Sequence, residues 1–138
     1  MSVFKHTTKI EVRFVDMDAF GHVNNAHYLT YIEQARVNYF NDVVGYHYDW
    51  NKEGLILAHA DVDFISPIHF NDDISVKTRC SRVGNKSMEM EYEIVQIKGK
   101  EEILKAKGKT VTVSYDYTTN TSIPVPEKWR KKFEELEG

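Results

Sequence analysis

The sequence predicts a single α+β domain, spanning residues 1–138, in which one long helix packs against an antiparallel β-sheet. Three observations support this prediction. A short strand pattern precedes a long helical pattern, four strand patterns follow it, and very short turns join the last three strands. With 138 residues, 41% of them apolar, the chain can bury one core, and it shows no repeat or second-domain boundary.

The N-terminal half supplies one strand and the long helix. Apolar and polar residues alternate over residues 9–15 with the period of a half-buried strand. Over residues 26–43 apolar positions recur at helical spacing on more than one narrow stripe, so we expect other elements to wrap this helix. Gly45 fits its end. The loop predicted at 46–53 carries Tyr48 and Trp50, which could lean over a pocket, although such side chains more often cover core.

The second half is predicted to be strands at 55–65, 73–83, 87–97 and 102–117. Period-two alternation is clearest at Met88, Met90, Tyr92, Ile94, Val111, Val113 and Tyr115. Short turns at 84–85 and 98–100 predict that the last three strands form an antiparallel meander. A surface helix is predicted at about 126–137, with Pro126 in its first turn and Trp129, Phe133 and Leu136 on one side.

Composition excludes several classes of function. The formal net charge of −3 supplies no basic field for nucleic acid. The single cysteine, Cys80, rules out an internal disulfide framework and is expected to be inert filler in a strand. The chain shows no signal-peptide core and no segment of membrane-spanning length, so we expect a soluble protein of the cytoplasm.

The most informative segment lies just before the predicted long helix, at residues 15–28. It places the carboxylate of Asp18 and the imidazole of His22 beside a helix N-terminus, where unpaired N–H groups and the helix dipole favour an anion or a developing oxyanion. No metal is needed for such polarisation. The six histidines form no metal-ligand motif, so we predict neither a metal nor a cofactor.

The order of these motifs resembles the hotdog-fold acyl thioesterases, most closely the 4-hydroxybenzoyl-CoA thioesterase-like group, over residues 9 to about 129. The resemblance rests on Asp16-x-Asp18-x-x-Gly21-His22-Val23-Asn24-Asn25-x-x-Tyr28, then Glu33-x-x-Arg36, then Asp61-Val62-Asp63-Phe64-x-x-Pro67. It implies a long central helix wrapped by a curved sheet, and a homodimer, or a homotetramer made of two dimers, whose sheets join edge to edge. It also implies active sites at the dimer interface.

The resemblance further implies roles for the residues of the motif. Asp18 matches the carboxylate that acts as general base or nucleophile, and the alternative is that it only caps its turn. Asn25 matches the residue whose backbone N–H polarises the substrate carbonyl. His22 could touch Asp18, water or the thioester, or could be a structural partner of the turn. Asp16 is expected to be a structural acceptor.

Further residues are candidates for binding substrate. Gly21 could permit a positive φ or a close approach of substrate. Asn24 is either the helix N-cap, which we favour, or a substrate contact. Three cations lie beside the 84–85 turn: Arg79, Arg82 and Lys86. Together with the Ser87 hydroxyl they could bind the phosphates of coenzyme A, and the alternative is that they form an ordinary charged hairpin.

The resulting expectation is an acyl-CoA thioesterase that releases a free acid and coenzyme A. One alternative is a thioesterase for acyl-carrier-protein substrates, although the enzymes of that branch have Asn where this chain has Asp18 and carry two copies of the fold. Another is a non-catalytic hotdog module that binds acyl-CoA or a protein. A hotdog dehydratase is less well supported, because that branch relies on a different histidine motif.

Overall fold

The computed structural model describes residues 3–45 and 52–138. Two α-helices and six strands follow one another along these described residues. They are β1 (His6–Ile10), α1 (Asn25–Tyr39), β2 (Glu53–Phe64), β3 (Ile74–Val83), β4 (Ser87–Lys98), β5 (Glu101–Asp116), β6 (Thr121–Ser122) and α2 (Glu127–Glu137). A 3₁₀ turn at Phe14–Asp16 precedes α1, and a π-helical segment at Phe40–Val44 extends it. The predicted loop side chains of Tyr48 and Trp50 lie outside the described residues.

The strands form one antiparallel sheet in the order β1-β3-β4-β5-β2, and the short β6 adds to the end of β5. The meander predicted for β3, β4 and β5 is confirmed. The sheet curls around α1, which confirms the predicted hotdog fold. Among the described residues, β2 pairs only with β5, so one long edge of this twelve-residue strand is open.

The core lies between the sheet and one side of α1. The inward positions of β4 are fully buried, as their alternation predicted: Met88, Met90, Tyr92 and Ile94. The helix buries a single stripe, narrower than its periodicity indicated, and Leu29 on its other side is 44% exposed. Gly108 of β5 also faces α1, and an added Cβ there would lie 2.6 Å from the Ile32 Cδ1 atom.

The first strand was predicted incorrectly in detail. The first strand ends at Ile10 rather than continuing to residue 15, and Phe14 lies in the 3₁₀ turn with 80% of its surface exposed. The turn forms because the Asp16 carboxylate accepts the Arg13 N–H, which bends the chain away from the sheet. On β5 the fully buried face carries small hydroxyl side chains, which are those of Thr110, Thr112 and Ser114. Val111 and Val113 lie on the opposite face and are half-buried.

The predicted C-terminal helix is confirmed as α2, which packs across the end of α1 with Trp129 and Phe133 buried. Its last turn is anchored by Glu137, whose carboxylate accepts the Tyr39 hydroxyl and the Cys80 N–H, each at 2.8 Å. Burial raises the pKa of the Cys80 thiol to about 12, which fits the expectation of an unreactive cysteine.

The outer face of the sheet carries columns of alternating charge. The register places Glu91 of β4 between Arg79 of β3 and Lys109 of β5, and Lys109 lies opposite Asp61 of β2. Such cross-strand pairs each stabilise a sheet by roughly 0.2–1 kcal/mol. This charged face differs from the apolar face that packs on α1. Within the described ranges, no helix is both long enough and apolar enough to cross a membrane.

Candidate active site

A cavity of about 220 Å³ opens between the start of α1 and the end of β2. One wall carries Asp18, His22 and Asn25, which are the three residues predicted to be catalytic. The opposite wall is formed by Phe64 and the chain that follows it, as far as Pro67. Tyr28 forms the floor, is 2% exposed, and packs edge to face on the Phe64 ring, with ring centroids 5.0 Å apart.

The loop that carries Asp18 and His22 is a narrow hairpin. Met17 and Val23 form an isolated antiparallel bridge, and inside it the Asp18 N–H donates to the His22 carbonyl oxygen at 2.8 Å. Gly21 stands at the tip with a φ of 79°, in the left-handed region that glycine adopts without strain. The positive φ expected of Gly21 is therefore present, and the turn it permits brings Asp18 and His22 to the same wall.

The Asp18 carboxylate is half-buried and has one oxygen engaged. Its Oδ1 accepts the Phe20 N–H at 2.9 Å and, at 3.4 Å, the His22 N–H. Among the described residues no hydrogen bond ends on Oδ2. The predicted turn-capping role is thus present, and it leaves the second oxygen available to water or substrate, so the two roles of Asp18 are compatible.

Helix α1 begins at the cavity. Asn24 is its N-cap, as favoured above, since its side chain accepts the Ala26 N–H at 3.0 Å. Asn25 follows as the first helical residue, where the backbone N–H has no acceptor within a helix. No hydrogen bond to that N–H is made within the described part of the chain. This donor, at the positive end of a 15-residue helix, is suited to a carbonyl oxygen that gains negative charge.

The Asp16 carboxylate holds this wall in place from beneath. It is 0% exposed and accepts hydrogen bonds from the Arg13 guanidinium at 2.8 Å and the Tyr31 hydroxyl at 2.7 Å, and the Asp16 carbonyl oxygen accepts the Asn24 N–H. Burial works to raise the pKa of this carboxyl, but the hydrogen bonds from Arg13 and Tyr31 outweigh it and hold the pKa below its usual value. Asp16 is the structural acceptor that the sequence predicted.

Sequence reasoning missed Lys105, which supports the opposite wall. It is the extra residue at a β-bulge between β4 and β5 and is 7% exposed. Its carbonyl oxygen accepts the N–H groups of Ile65 and Ser66, and its ammonium donates to the Pro67 carbonyl oxygen at 2.9 Å. Bulges often reorient side chains next to functional sites. The pattern of β5 could not reveal this bulge, because a bulge depends on how two strands pair.

Sequence reasoning also missed His69, whose ring meets the His22 ring edge to face with centroids 5.1 Å apart. His69 follows the cavity wall by two residues, and its side chain is 56% exposed. The motif Asp61-Val62-Asp63-Phe64-x-x-Pro67 marked the position of this wall in the sequence, but nothing in its spacing indicated a contact with His22.

The hairpin candidates lie far from this cavity within one chain. Ser87 pairs with Val113 and Phe64 with Ala106, which are seven residues apart along β5, or about 23 Å at the rise of a strand. Arg82 and Lys86 are exposed beside Ser87. Arg79 instead pairs with Glu91 at 3.3 Å.

No set of three His, Cys, Asp or Glu side chains in residues 3–45 and 52–138 is arranged to hold a metal ion. The contact between the His22 and His69 rings therefore does not belong to a three-ligand metal site among these residues.

Comparison with known proteins agrees with this geometry. The sequence profile of the thioesterase-like superfamily matches residues 12–133. The chain is 31% identical to the chloroplastic acyl-acyl carrier protein thioesterase ATL3 of Arabidopsis thaliana, over 96% of this chain and 69% of that protein. It is 20% identical to the long-chain acyl-CoA thioesterase FadM of Escherichia coli, over 94% of this chain and 97% of that protein.

Among solved structures, the chain is similar to a thioesterase complexed with coenzyme A and Zn from Thermus thermophilus. The two share 32% identity and a TM-score of 0.84, with 100% of this chain and 98% of that chain covered. The family match covers most of the chain, and the fold and the cavity agree with it. The chain therefore belongs to the thioesterase-like superfamily and is a thioester hydrolase of the hotdog fold.

Proposed function

We propose that this protein hydrolyses an acyl-CoA thioester to a free acid and coenzyme A, with Asp18 as base or nucleophile and the Asn25 N–H as oxyanion donor. The observation that carries the proposal is the single cavity in which the Asp18 carboxylate, the His22 ring and the first N–H of α1 meet. A carboxylate and an oxyanion donor are the two groups that thioester hydrolysis requires.

The chemistry needs no group beyond these residues and water. As general base, Asp18 takes a proton from the attacking water while the thioester carbonyl oxygen gains charge beside the Asn25 N–H. Collapse of the tetrahedral intermediate breaks the C–S bond, and the proton held by Asp18 passes to the sulfur. One oxyanion donor contributes about 2.7–4 kcal/mol in enzymes where it has been removed, and a positioned base about 10²–10⁴ in rate.

Coenzyme A as the thiol part of the substrate is supported by the similarity to a thioesterase that was solved with coenzyme A. Within one protomer, however, the predicted phosphate-binding residues lie at the opposite end of the sheet from the cavity. A second copy of the chain could bring the two sites together if it paired with an open strand edge. Strand edges that are open in a monomer are commonly paired or covered in the native assembly. The open β2 edge with its exposed Ile56 and Leu57 is the surface we assign to a homodimer.

In the proposed homodimer, the direction of the strands would bring the partner's hairpin near the cavity. The 84–85 turn lies at the end of the sheet where β2 begins, and the cavity lies where β2 ends. Two β2 strands paired antiparallel around a two-fold axis run in opposite directions, so the partner's hairpin comes to the cavity end. In this arrangement the partner's Arg82, Lys86 and Ser87 would hold the coenzyme A phosphates of a thioester bound at Asp18.

The first experiment measures thiol release from short, long and aromatic acyl-CoAs by the native protein and by Asp18→Asn. The Asn side chain keeps an oxygen for the Phe20 N–H, so the turn is preserved while the charge is lost. We expect kcat/KM to fall about 10²–10⁴-fold. Asp42→Asn is the matched control, since Asp42 is an exposed carboxylate paired with His6 away from the cavity. Equal activity of the native protein and Asp18→Asn would contradict the mechanism.

A single turnover in ¹⁸O-labelled water tests whether Asp18 acts as base or as nucleophile. Direct attack by water places one ¹⁸O atom in the product acid. Attack by Asp18 forms an acyl anhydride, and if water then opens that anhydride at the Asp18 carbonyl, the label enters the enzyme and the first product remains unlabelled. Mass spectrometry of the acid and of the peptide containing Asp18 distinguishes these results.

The second candidate function is hydrolysis of an acyl-carrier-protein thioester. It is favoured by the 31% identity to an acyl-acyl carrier protein thioesterase. The discriminating measurement compares kcat/KM for one acyl group carried by coenzyme A and by a carrier protein. A clear preference for the carrier protein would establish the second candidate, and Arg82→Ala would then affect the two substrates unequally.

A further inference from the structure

The two histidine rings at the mouth of the cavity form a contact that the proposed reaction does not use directly. The rings of His22 and His69 meet edge to face, with centroids 5.1 Å apart and planes at 85°. His22 lines the cavity beside Asp18. Its backbone is fixed by hydrogen bonds with Asp18, but its ring makes no hydrogen bond or ion pair within the described part of the chain. The contact with the His69 ring is therefore a specific interaction available to restrict the His22 ring.

His69 itself is well anchored although its ring is exposed. Its N–H donates to Asp72 Oδ2 at 2.8 Å, and its Nδ1 lies 3.7 Å from the same oxygen. Asp72 also accepts a hydrogen bond from Gln96 and lies 3.8 Å from the Lys105 ammonium. The preceding residue, Ile68, accepts the Val23 N–H at 2.9 Å, which joins this segment directly to the Asp18 hairpin.

We propose that His69 is a positioning residue that fixes the His22 imidazole against the cavity beside Asp18. This inference rests on the proposed function, because it assigns His22 a role in that reaction. The two rings come from segments separated by more than forty residues, and each segment forms one wall of the cavity. A contact between the two walls holds the His22 ring at a fixed position relative to the opposite wall. Small displacements of catalytic groups lower the reaction rate.

The activity test replaces the ring and then restores it. His69→Ala is expected to lower kcat about three- to tenfold with KM changed less than about twofold, the range that loss of one aromatic contact gives. His69→Phe keeps a ring face without the imidazole nitrogens and is expected to restore kcat. Phe70→Ala is the matched control, because Phe70 is the next residue and its ring packs on Phe14 instead of on His22.

A double-mutant comparison with His22→Ala distinguishes a positioning role of His69 from a general loss of order in its loop. In a His22→Ala background, His69→Ala is expected to have no further effect on kcat, since the ring on which it acts is absent. A loss of the same size in both backgrounds would overturn the proposal, and so would full activity of His69→Ala. Thermal unfolding of every variant checks that the fold is retained.

An NMR measurement decides the contact without any activity. Ring protons of His22 experience the ring current of His69 at this separation, so His69→Ala should shift the Cε1–H resonance of His22, and His69→Phe should leave it closer to the native position. Phe70→Ala should not move it. An unmoved His22 resonance in His69→Ala would refute the contact. If the native protein hydrolyses no thioester, the proposed function fails while this spectrum still reports whether His69 holds the His22 ring.

Discussion

At the scale of single residues, two aspartates separated by one position have different environments. Asp16 is fully buried and both of its oxygens accept hydrogen bonds, from Arg13 and Tyr31. Asp18 is half-buried, and within residues 3–45 and 52–138 it accepts hydrogen bonds on one oxygen only. A carboxylate whose acceptor sites are all filled fixes structure, whereas one with a free oxygen can bind water. These environments fit a structural role for Asp16 and leave Asp18 an oxygen for the catalytic role proposed above.

Asp16 should make stability depend on pH in the acidic range. Its folded pKa lies below the usual value of 3.8, so its stabilisation is complete above about pH 4 and is lost as the pH falls through the lower folded value. We expect Asp16→Asn to lower the free energy of unfolding by about 1.5–3 kcal/mol at pH 7, the range for a hydrogen bond to a charged group. Urea unfolding at several pH values measures both effects.

The difference between native protein and Asp16→Asn should stay constant from pH 7 to pH 5 and shrink below pH 4. Asp42→Asn serves as the control with an exposed carboxylate. A difference that persists unchanged at pH 2 would show that the charge of Asp16 does not stabilise the fold.

The sequence grouped the residues of one cavity wall and marked Phe64 and Pro67 of the other, but it did not predict the side chains that support the second wall. Asp18, His22 and Asn25 lie within eight residues of one another, so a local motif was sufficient to group them. The contacts of His69 and Lys105 arise from how distant segments pair and from a bulge in the sheet. Because a bulge shifts the register by one residue, no single strand pattern contains that information.

At the scale of elements, the strands and helices were predicted well where turns and periodicity agree. Short turns fixed the meander of β3, β4 and β5, and the apolar stripe fixed α1. The end of β1 was wrong because the alternation continues through Phe14 while the backbone turns to satisfy Asp16. The buried face of β5 could not be predicted from hydropathy, since it carries small hydroxyl side chains together with Gly108, which closely approaches Ile32 of α1.

That close approach predicts a coupled pair of substitutions. Gly108→Ala would place a methyl group 2.6 Å from the Ile32 Cδ1 atom, and we expect overpacking to cost about 1–3 kcal/mol of unfolding free energy. Ile32→Val removes that Cδ1 atom and costs about 0.5–1.5 kcal/mol alone. The double variant should lose less than the sum of the two. Additive losses in chemical denaturation would show that the helix can move away from β5 without strain.

At the scale of the whole molecule, the sheet has two different faces and one long open edge. The inner face packs on α1, and the outer face pairs charges of opposite sign between neighbouring strands. The edge of β2 exposes Leu57, which is 47% exposed although it points to the same side as the core residues of β5. Pairing of this edge with a second copy would cover it and bring the partner's Arg82 toward Asp18.

A charge on this edge should therefore weaken both association and activity. We expect Leu57→Lys to shift the protein toward monomers in analytical ultracentrifugation and to raise KM for acyl-CoA, because lysine on a strand edge opposes pairing. Val3→Lys is the control, since Val3 is 59% exposed and lies outside the sheet. A native protein that sediments as a monomer would contradict the assigned interface.

The strand order also has a consequence for the route by which the chain folds. The three meander strands are neighbours in sequence, whereas Glu53 of β2 must find Asp116 of β5 across the whole meander, so its pairing closes a much longer loop. Pulse-labelled hydrogen exchange should accordingly protect amides of β3, β4 and β5 before those of β2. Because Phe64 and the residues after it form one wall of the cavity, the cavity is complete only once β2 has docked.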